Sequence, residues 1–258
     1  SIAVVGAGPA GLAAATTAAR RGHRVTLFDA ATQIGGQFNI AKQIPGKEEF
    51  NETIRYFEKE IALSGVTLAL GQRVTTEDLS DFDEVILATG VTPRMPDIPG
   101  IGHKKVLGYL EVIRGAPVGK SVAIIGAGGI GFDVSEFLIH NGPSASQDIP
   151  TFMKEWGIDM TFTARGGVEG MVAEFSPPAR EVYLLQRKSK KVGASLGKTT
   201  GWIHRTNLTK RGVQMIAGVS YDKIDDTGLH ITVGAKSRIL PVDNVIICAG
   251  QDPERSLA

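Results

Sequence analysis

The feature that most constrains this chain is a phrase it uses twice. Residues 1–11 read SIAVVGAGPAG and residues 121–131 read SVAIIGAGGIG. Each begins with Ser, runs through four apolar residues and reaches Gly-Ala-Gly-x-x-Gly. The pattern predicts a buried parallel strand (residues 2–5; 122–125), a tight glycine turn and a helix start (residues 12–20; 132–140). The glycines have separate jobs. Gly6 and Gly126 allow the turn its backbone angles. Gly8 and Gly128 lack the Cβ that would hold a pyrophosphate off the main chain. Gly11 and Gly131 let the helix pack closely on the strand. The free N–H groups and dipole at the helix start then hold phosphate charge. One isolated match reads equally well as a glycine turn with no ligand. Two copies, each between an apolar strand and a helix, point to dinucleotide sites.

The copies differ at the end of the strand that follows. After the first, HRVTLFDA closes in Asp29, 18 positions past Gly11. An acid there is placed to accept hydrogen bonds from a ribose hydroxyl; the alternative is a solvated loop acid. After the second, the candidate strand EVYLLQRKSKK ends without an acid. Gln186, Arg187 and Lys188 stand in its place, with Lys190 and Lys191 behind them. A basic group here suits a ribose 2′-phosphate, and so NADP(H) over NAD(H). The alternative is an ordinary solvated basic turn. The doubled phrase therefore predicts two different dinucleotides, the first with a plain ribose and the second with a phosphorylated one.

A chain of 258 residues can hold one large or two medium α/β domains. With 28 Lys and Arg against 27 Asp and Glu, the net charge of +1 argues against an electrostatic nucleic-acid surface. No apolar run reaches membrane-spanning length and nothing resembles a signal peptide, so no membrane partner is expected. The single cysteine, Cys248, lies inside the apolar run NVIICAG and reads as a small core residue. One cysteine excludes an intrachain disulfide, a CxxC redox pair and a four-cysteine cluster site within these residues. The expected compartment is the cytoplasm. The five histidines show no metal spacing, and there is no nucleophile elbow or spaced carboxylate pair. No catalytic acid, base, nucleophile or metal ligand is assigned.

Between the two phrases lie a Gly35–Gly36 loop, an amphipathic helix in KEEFNETIRYFEKEIALSG ending at Gly65, and a strand and turn in VTLALGQRV. The strand FDEVILATG follows, ending in Thr89–Gly90. Then VTPRMPDIPGIG carries three prolines and two glycines in twelve residues, a linker by composition. Residues 143–180 read as an excursion of Pro and Gly clusters around one helical patch, TFMKEWGID. SLGKTTGWIHRTNLTKRG predicts a loop and a helix, and residues 213–250 a short-stranded β segment with a turn at Asp225–Gly228. The chain opens at Ser1, just before a strand, and closes at QDPERSLA, just after one. The expectation is a piece of a longer polypeptide.

The run VVGAGPAG, FDA, IGGQ and ATG, followed by IIGAGGIG, resembles the two-dinucleotide-binding-domain flavoproteins. EWGID, LLQRK, LGKTTGWIHRT, GVSYDKIDD and VDNVIICAGQ are similar to the C-terminal half of the bacterial NADPH-dependent 2,4-dienoyl-CoA reductases, over essentially the whole chain. That resemblance implies an N-terminal barrel holding FMN and substrate and a four-iron cluster in the full-length enzymes, neither of them bound by this chain. Electrons would pass from NADPH to FAD, through the cluster to FMN, and on to a dienoyl-CoA of unsaturated fatty-acid degradation. The partners implied are NADPH and that N-terminal FMN/iron–sulfur domain. The resemblance assigns Gly6, Gly8, Pro9, Ala10 and Gly11 to the FAD pyrophosphate and Asp29 to its ribose. Gly36 and Gln37 would lie along the flavin, Val74 would meet the adenine through its backbone, and Ala88, Thr89 and Gly90 would close the site. Gly126, Gly128 and Gly131 would hold the NADPH pyrophosphate, with Arg187 and Lys188 on the 2′-phosphate. The family's later Gly-Gly-acid motif facing the flavin does not occur before Ala258.

The expected fold is α/β with two nested Rossmann-like domains: an FAD domain over 1–105 plus 251–258, and an NADPH domain over 106–250. The expected function is the NADPH-to-FAD electron-input module of a 2,4-dienoyl-CoA reductase. The alternatives are part of a related flavin-dependent amine or enoate oxidoreductase, whose second site holds only ADP, and a catalytically silent nucleotide-binding scaffold.

Overall fold

The first apolar phrase forms β1 (Ile2–Val5), one of the two inner strands of a four-stranded parallel sheet. Proline at the first helical position starts α1 (Pro9–Arg20), where a missing N–H costs nothing. Next come β2 (Val25–Asp29), the short α2 (Phe38–Ala41) and α3 (Phe50–Ser64). Gly65 ends α3 in the left-handed conformation, at φ 72°. β3 (Thr67–Leu70), β4 (Glu84–Leu87) and β5 (Val91–Pro93) complete this stretch. The sheet order is β3-β2-β1-β4, with Val5 opposite Phe28 on one side and Leu87 on the other. Successive side chains of each strand face opposite ways. Val4 and Leu27 pack with Leu12, Ala15, Ile54 and Ile61 under the helices, whereas Ala3, Val5 and Phe28 pack with Val74 and Leu79.

The second phrase repeats the plan. After β6 (Val106–Gly108) and α4 (Tyr109–Ile113) come β7 (Ser121–Ile125) and α5 (Gly129–Ile139). Then follow α6 (Ile149–Trp156), β8 (Glu181–Leu185), α7 (Gly201–Lys210) and β9 (Gln214–Ile216). An antiparallel meander, β10 (Val219–Asp225), β11 (Gly228–Val233) and β12 (Lys236–Leu240), precedes β13 (Asn244–Ile247). The parallel sheet has the order β6-β13-β7-β8-β9. Read outward from the phrase strand, β9-β8-β7-β13 matches β3-β2-β1-β4. Val122, Ile124, Leu184 and Ile246 pack under the helices. Ala123, Ile125, Leu185 and Ile247 pack against Leu229, Ile231 and Leu240 of the meander. Cys248 is buried in the helix-side core, as its apolar run predicts, and burial pushes its thiol pKa up. The last strand, β14 (Gln251–Pro253), pairs with β5.

The computed structural model describes residues 1–258 and divides them into two compact units. One is Ser1–Gln43, Lys47–Thr92 and Gln251–Ala258; the other is Ile44–Gly46 and Pro93–Gly250. Apart from the short Ile44–Gly46 excursion, the change of unit falls after Thr92, where the sequence reading puts it near 105. The reason is that the proline-rich stretch is no free linker. Ile98 is 5% exposed in the meander-side core, and the Ile224 amide donates to Pro99 O at 2.8 Å.

The excursion over 143–180 carries α6, capped by Asp148, whose Oδ2 accepts from the Thr151 amide at 2.9 Å. It is held to the second unit by Arg211, which donates to Glu155 at 2.9 Å and lies 5.1 Å above the Phe175 ring. No helix is long and apolar enough to cross a membrane.

Candidate dinucleotide sites

In both units the glycine turn sits where the strand order reverses, between β1 and β4 and between β7 and β13. That is where open parallel sheets bind ligands at the carboxyl ends of their strands. The two turns share their constraints. Gly6 and Gly126 both have φ of 109°. A Cβ on Gly6 would lie 2.3 Å from Ala88 O, and one on Gly126 2.2 Å from Cys248 O. The third glycine is tighter still: a Cβ on Gly11 would lie 1.7 Å from Gly6 O, and one on Gly131 1.9 Å from Gly126 O. So the third glycine lets the helix close onto the carbonyl of the first, as well as onto the sheet. At the middle glycine the space is open. A Cβ on Gly128 would meet nothing within 4 Å, and one on Gly8 only Gly36 Cα at 3.9 Å. Neither α1 nor α5 has a side-chain cap. Open space over uncapped N–H groups is the cradle a pyrophosphate requires.

In the first unit this cradle adjoins a cavity of about 460 Å³. Its lining brings Gly6, Asp29, Val74 and Thr89 together, four residues expected from the sequence. Gly36 lies over the turn, since a Cβ there would come 2.8 Å from Gly8 Cα, and the Gly35 amide donates to Ala7 O at 2.8 Å. Gln37 follows as the residue before α2. Pro9 and Ala10 open α1. Ala88 lies against Gly6 and Gly11, and the Ala88 amide donates to Val5 O at 2.8 Å. Asp29 does more than face the cavity. Its Oδ2 accepts from the Ala7 amide at 2.6 Å and its Oδ1 from the Ala31 amide at 2.7 Å. It thereby locks the glycine turn to the end of β2.

Sequence reasoning missed the other walls: Arg73, Thr75 and Thr76 after β3, and Glu254, Ser256 and Leu257 from the tail. Two hydrogen bonds dock that tail. Thr89 Oγ1 donates to Glu254 O at 2.8 Å, and the Glu254 amide donates to Gly90 O at 2.9 Å. The Ser256 amide in turn holds the Glu254 carboxyl below its ordinary pKa.

In the second unit, β8 pairs with β7 in parallel, so the excursion leaves the expected strand order intact. Ile125 faces Leu185 as Val5 faces Phe28, and the Gly126 amide donates to Leu185 O at 3.0 Å as Gly6 donates to Phe28 O at 2.8 Å. The next residues, Gln186 and Asp29, therefore occupy equivalent positions. β8 ends at Leu185, so Gln186 to Lys191 form a loop rather than a strand end. Arg187, Lys188, Lys190 and Lys191 are exposed in it, and none makes an ion pair. Arg187 lies close enough to Tyr221 for its charge to oppose the rise in hydroxyl pKa that burial imposes there. Four cations without a protein counter-ion, next to an uncapped helix start, suit a polyanionic ligand.

The model of the pyridine nucleotide-disulphide oxidoreductase family matches residues 1–258. A metal reductase of Desulforamulus reducens is 26% identical over 99% of this chain and 38% of its own length. An N,N-dimethylglycine/sarcosine dehydrogenase of Chromohalobacter salexigens is 39% identical over 48% of this chain and 19% of its own length. Among solved structures, a 2-naphthoyl-CoA reductase in complex with 2-naphthoyl-CoA superposes with a TM-score of 0.80 at 26% identity, over 100% of this chain and 34% of that one. The chain thus spans well under half the length of each.

Proposed function

The chain belongs to the pyridine nucleotide-disulphide oxidoreductase family, and on that premise we propose that it is the NADPH-to-FAD electron-input module of a 2,4-dienoyl-CoA reductase. One observation carries the reading. Two sheets of matching strand order each hold the same glycine turn, but the strand beside the turn ends in Asp29 in one unit and leads into Gln186–Lys191 in the other. The first arrangement suits the unphosphorylated ribose of FAD and the second the 2′-phosphate of NADPH.

In this reading the two cofactors, when bound, would supply the hydride- and electron-transfer chemistry. The chain's own residues bind and orient. The amides of the α1 start, with Gly8, receive the FAD pyrophosphate. Asp29 accepts from the ribose while holding Ala7, and the 73–76 segment with the Glu254–Leu257 tail encloses the adenosine end. The amides of the α5 start, with Gly128, receive the NADPH pyrophosphate. Arg187 and Lys188 offer charge-assisted donors to the 2′-phosphate. The FMN and iron–sulfur domain would be the electron acceptor, and the dienoyl-CoA its substrate. The likeness to 2-naphthoyl-CoA reductase supports an acyl-CoA substrate class. The likeness to an N,N-dimethylglycine/sarcosine dehydrogenase supports a second reading, an amine-oxidising relative whose second site binds only ADP.

The chain is to be reconstituted with FAD and mixed anaerobically with NADPH. On the proposed reading the flavin absorbance bleaches, and ferricyanide or a quinone dye then sustains NADPH oxidation. The 258-residue chain alone should not turn over a dienoyl-CoA, because its one cysteine cannot hold a cluster. A flavin that binds but never bleaches with NADPH favours the amine-oxidising relative or a silent scaffold. Turnover of the thioester by this chain alone overturns the module reading.

A further inference from the structure

Gln186 stands where the first unit has Asp29, yet its hydrogen bonds run the other way. The Asp29 carboxylate accepts from two backbone amides, Ala7 and Ala31. The Gln186 side chain donates, with Nε2 giving hydrogen bonds to Lys188 O at 2.9 Å and to Lys190 O at 2.8 Å. Both partners are carbonyls, so only the amide nitrogen can face them. The same loop is anchored to β9 and β10: Gln186 N donates to Ile216 O at 2.9 Å, Gly218 N to Lys188 O at 3.1 Å and Val219 N to Gln186 O at 3.0 Å. One side chain thus folds residues 186–190 into a closed turn. The turn gathers Arg187, Lys188 and Lys190, whose like charges would otherwise drive it open.

We propose that Gln186 is the coenzyme-specificity residue of the second unit, a positioning residue that shapes the basic loop to receive a 2′-phosphate by donating both its amide hydrogens to the loop's carbonyls. The inference rests on the reading of this unit as an NADPH site and adds the element that selects the coenzyme. An acid here would act twice against NADPH. It has no hydrogen to give the two carbonyls, so the loop loses its clasp. It also presents an acceptor to a free ribose 2′-hydroxyl, as Asp29 does in the other unit, and repels a phosphate.

The test uses two probes that differ only in the 2′-phosphate, adenosine 2′,5′-diphosphate and adenosine 5′-monophosphate. Their binding to the wild-type chain, Gln186→Met and Gln186→Glu is to be followed by calorimetry, with circular dichroism as the fold control. Two lost neutral hydrogen bonds correspond to about a tenfold effect. Gln186→Met should lose about tenfold on the diphosphate with the monophosphate unchanged. Gln186→Glu should lose more on the diphosphate and gain on the monophosphate. Trypsin supplies a readout independent of any ligand, because the loop offers it cleavage sites after Arg187, Lys188, Lys190 and Lys191. The wild-type loop should resist cleavage and both variants should be cut faster there than elsewhere. Wild-type selectivity and wild-type trypsin resistance in both folded variants would overturn the inference while leaving the NADPH reading standing. Equal losses on both probes would reduce Gln186 to a structural role and overturn it as well. A wild-type chain that does not distinguish the probes overturns the NADPH reading and this inference with it.

Discussion

Asp29 and Ala7 are joined by a 2.6 Å hydrogen bond in which the amide between the first two glycines of the turn donates to the carboxylate. The acid that would meet the ribose is therefore also the clamp on the phosphate cradle. Asp29→Ala removes both functions and should weaken FAD by about 1.5–3 kcal/mol, the worth of hydrogen bonds to a charged group. Flavin content after reconstitution, read from absorbance, checks this. Unchanged content would remove Asp29 from the site.

Arg187 and Lys188 have no anionic partner in the protein, so replacing them removes little of its fold. Changing both to Gln should cost NADPH affinity, make the remaining affinity less sensitive to salt, and leave NADH nearly untouched. Titration of both coenzymes at two ionic strengths measures it. Equal losses would assign the pair to the pyrophosphate or to the loop's structure.

Gly131 lies in α5, and within helices a Gly-to-Ala change ordinarily stabilises by about 0.5–1 kcal/mol. Here the sign should reverse. The new Cβ would meet Gly126 O at 1.9 Å, so the helix or the turn must move. Gly131→Ala should destabilise by about 3 kcal/mol, seen as a lower midpoint in thermal or urea unfolding.

Arg211 is 9% exposed and shared between Glu155, at 2.9 Å, and Glu136, at 4.0 Å. Replacing it with Met leaves the buried Glu155 carboxylate without its cation, and the partly buried Glu136 with only the Asn207 amide, and should cost about 3 kcal/mol. Glu136 also sets a pH dependence. Burial raises its carboxyl pKa, against the opposing pull of Arg211 and of the Asn207 amide. A carboxyl raised on folding contributes in full below the ordinary carboxylate range. That contribution is lost as pH rises through the folded value. Urea midpoints across about pH 4 to 8 should therefore fall with rising pH more steeply in the wild type than in Glu136→Gln. Parallel curves would dismiss Glu136 as the source.

Much of the fold could be read in advance because its signals are local. The apolar phrase, its glycines and the acid at Asp29 all lie within 29 residues, and the β10–β11 turn announces itself at Asp225–Gly228. What escaped reading depends on distant partners. Thr89 meets Glu254 across 165 positions, so nothing near either residue reveals that the tail walls the cavity. Ile98 sits among prolines and glycines that read as linker, yet it is held in a core built from residues beyond 120. Gln186 was visible only as the absence of an acid, since its role lies in which carbonyls its amide reaches.

The first unit takes in Gln251–Ala258, and the chain reaches those residues only after Pro93–Gly250. On a ribosome adding about 5–20 residues per second, the opening strand–turn–helix waits roughly 10–50 s for β14 and the cavity wall that follows it. The second unit, continuous but for Ile44–Gly46, has nearly all its sequence available first. Birth order and folding order are thus inverted: the later-synthesised unit can close while the earlier one still exposes the edge of β5 that β14 will cover. A nascent chain stalled before Gln251 would present a nearly finished second unit beside a first one open to proteases and to flavin loss alike.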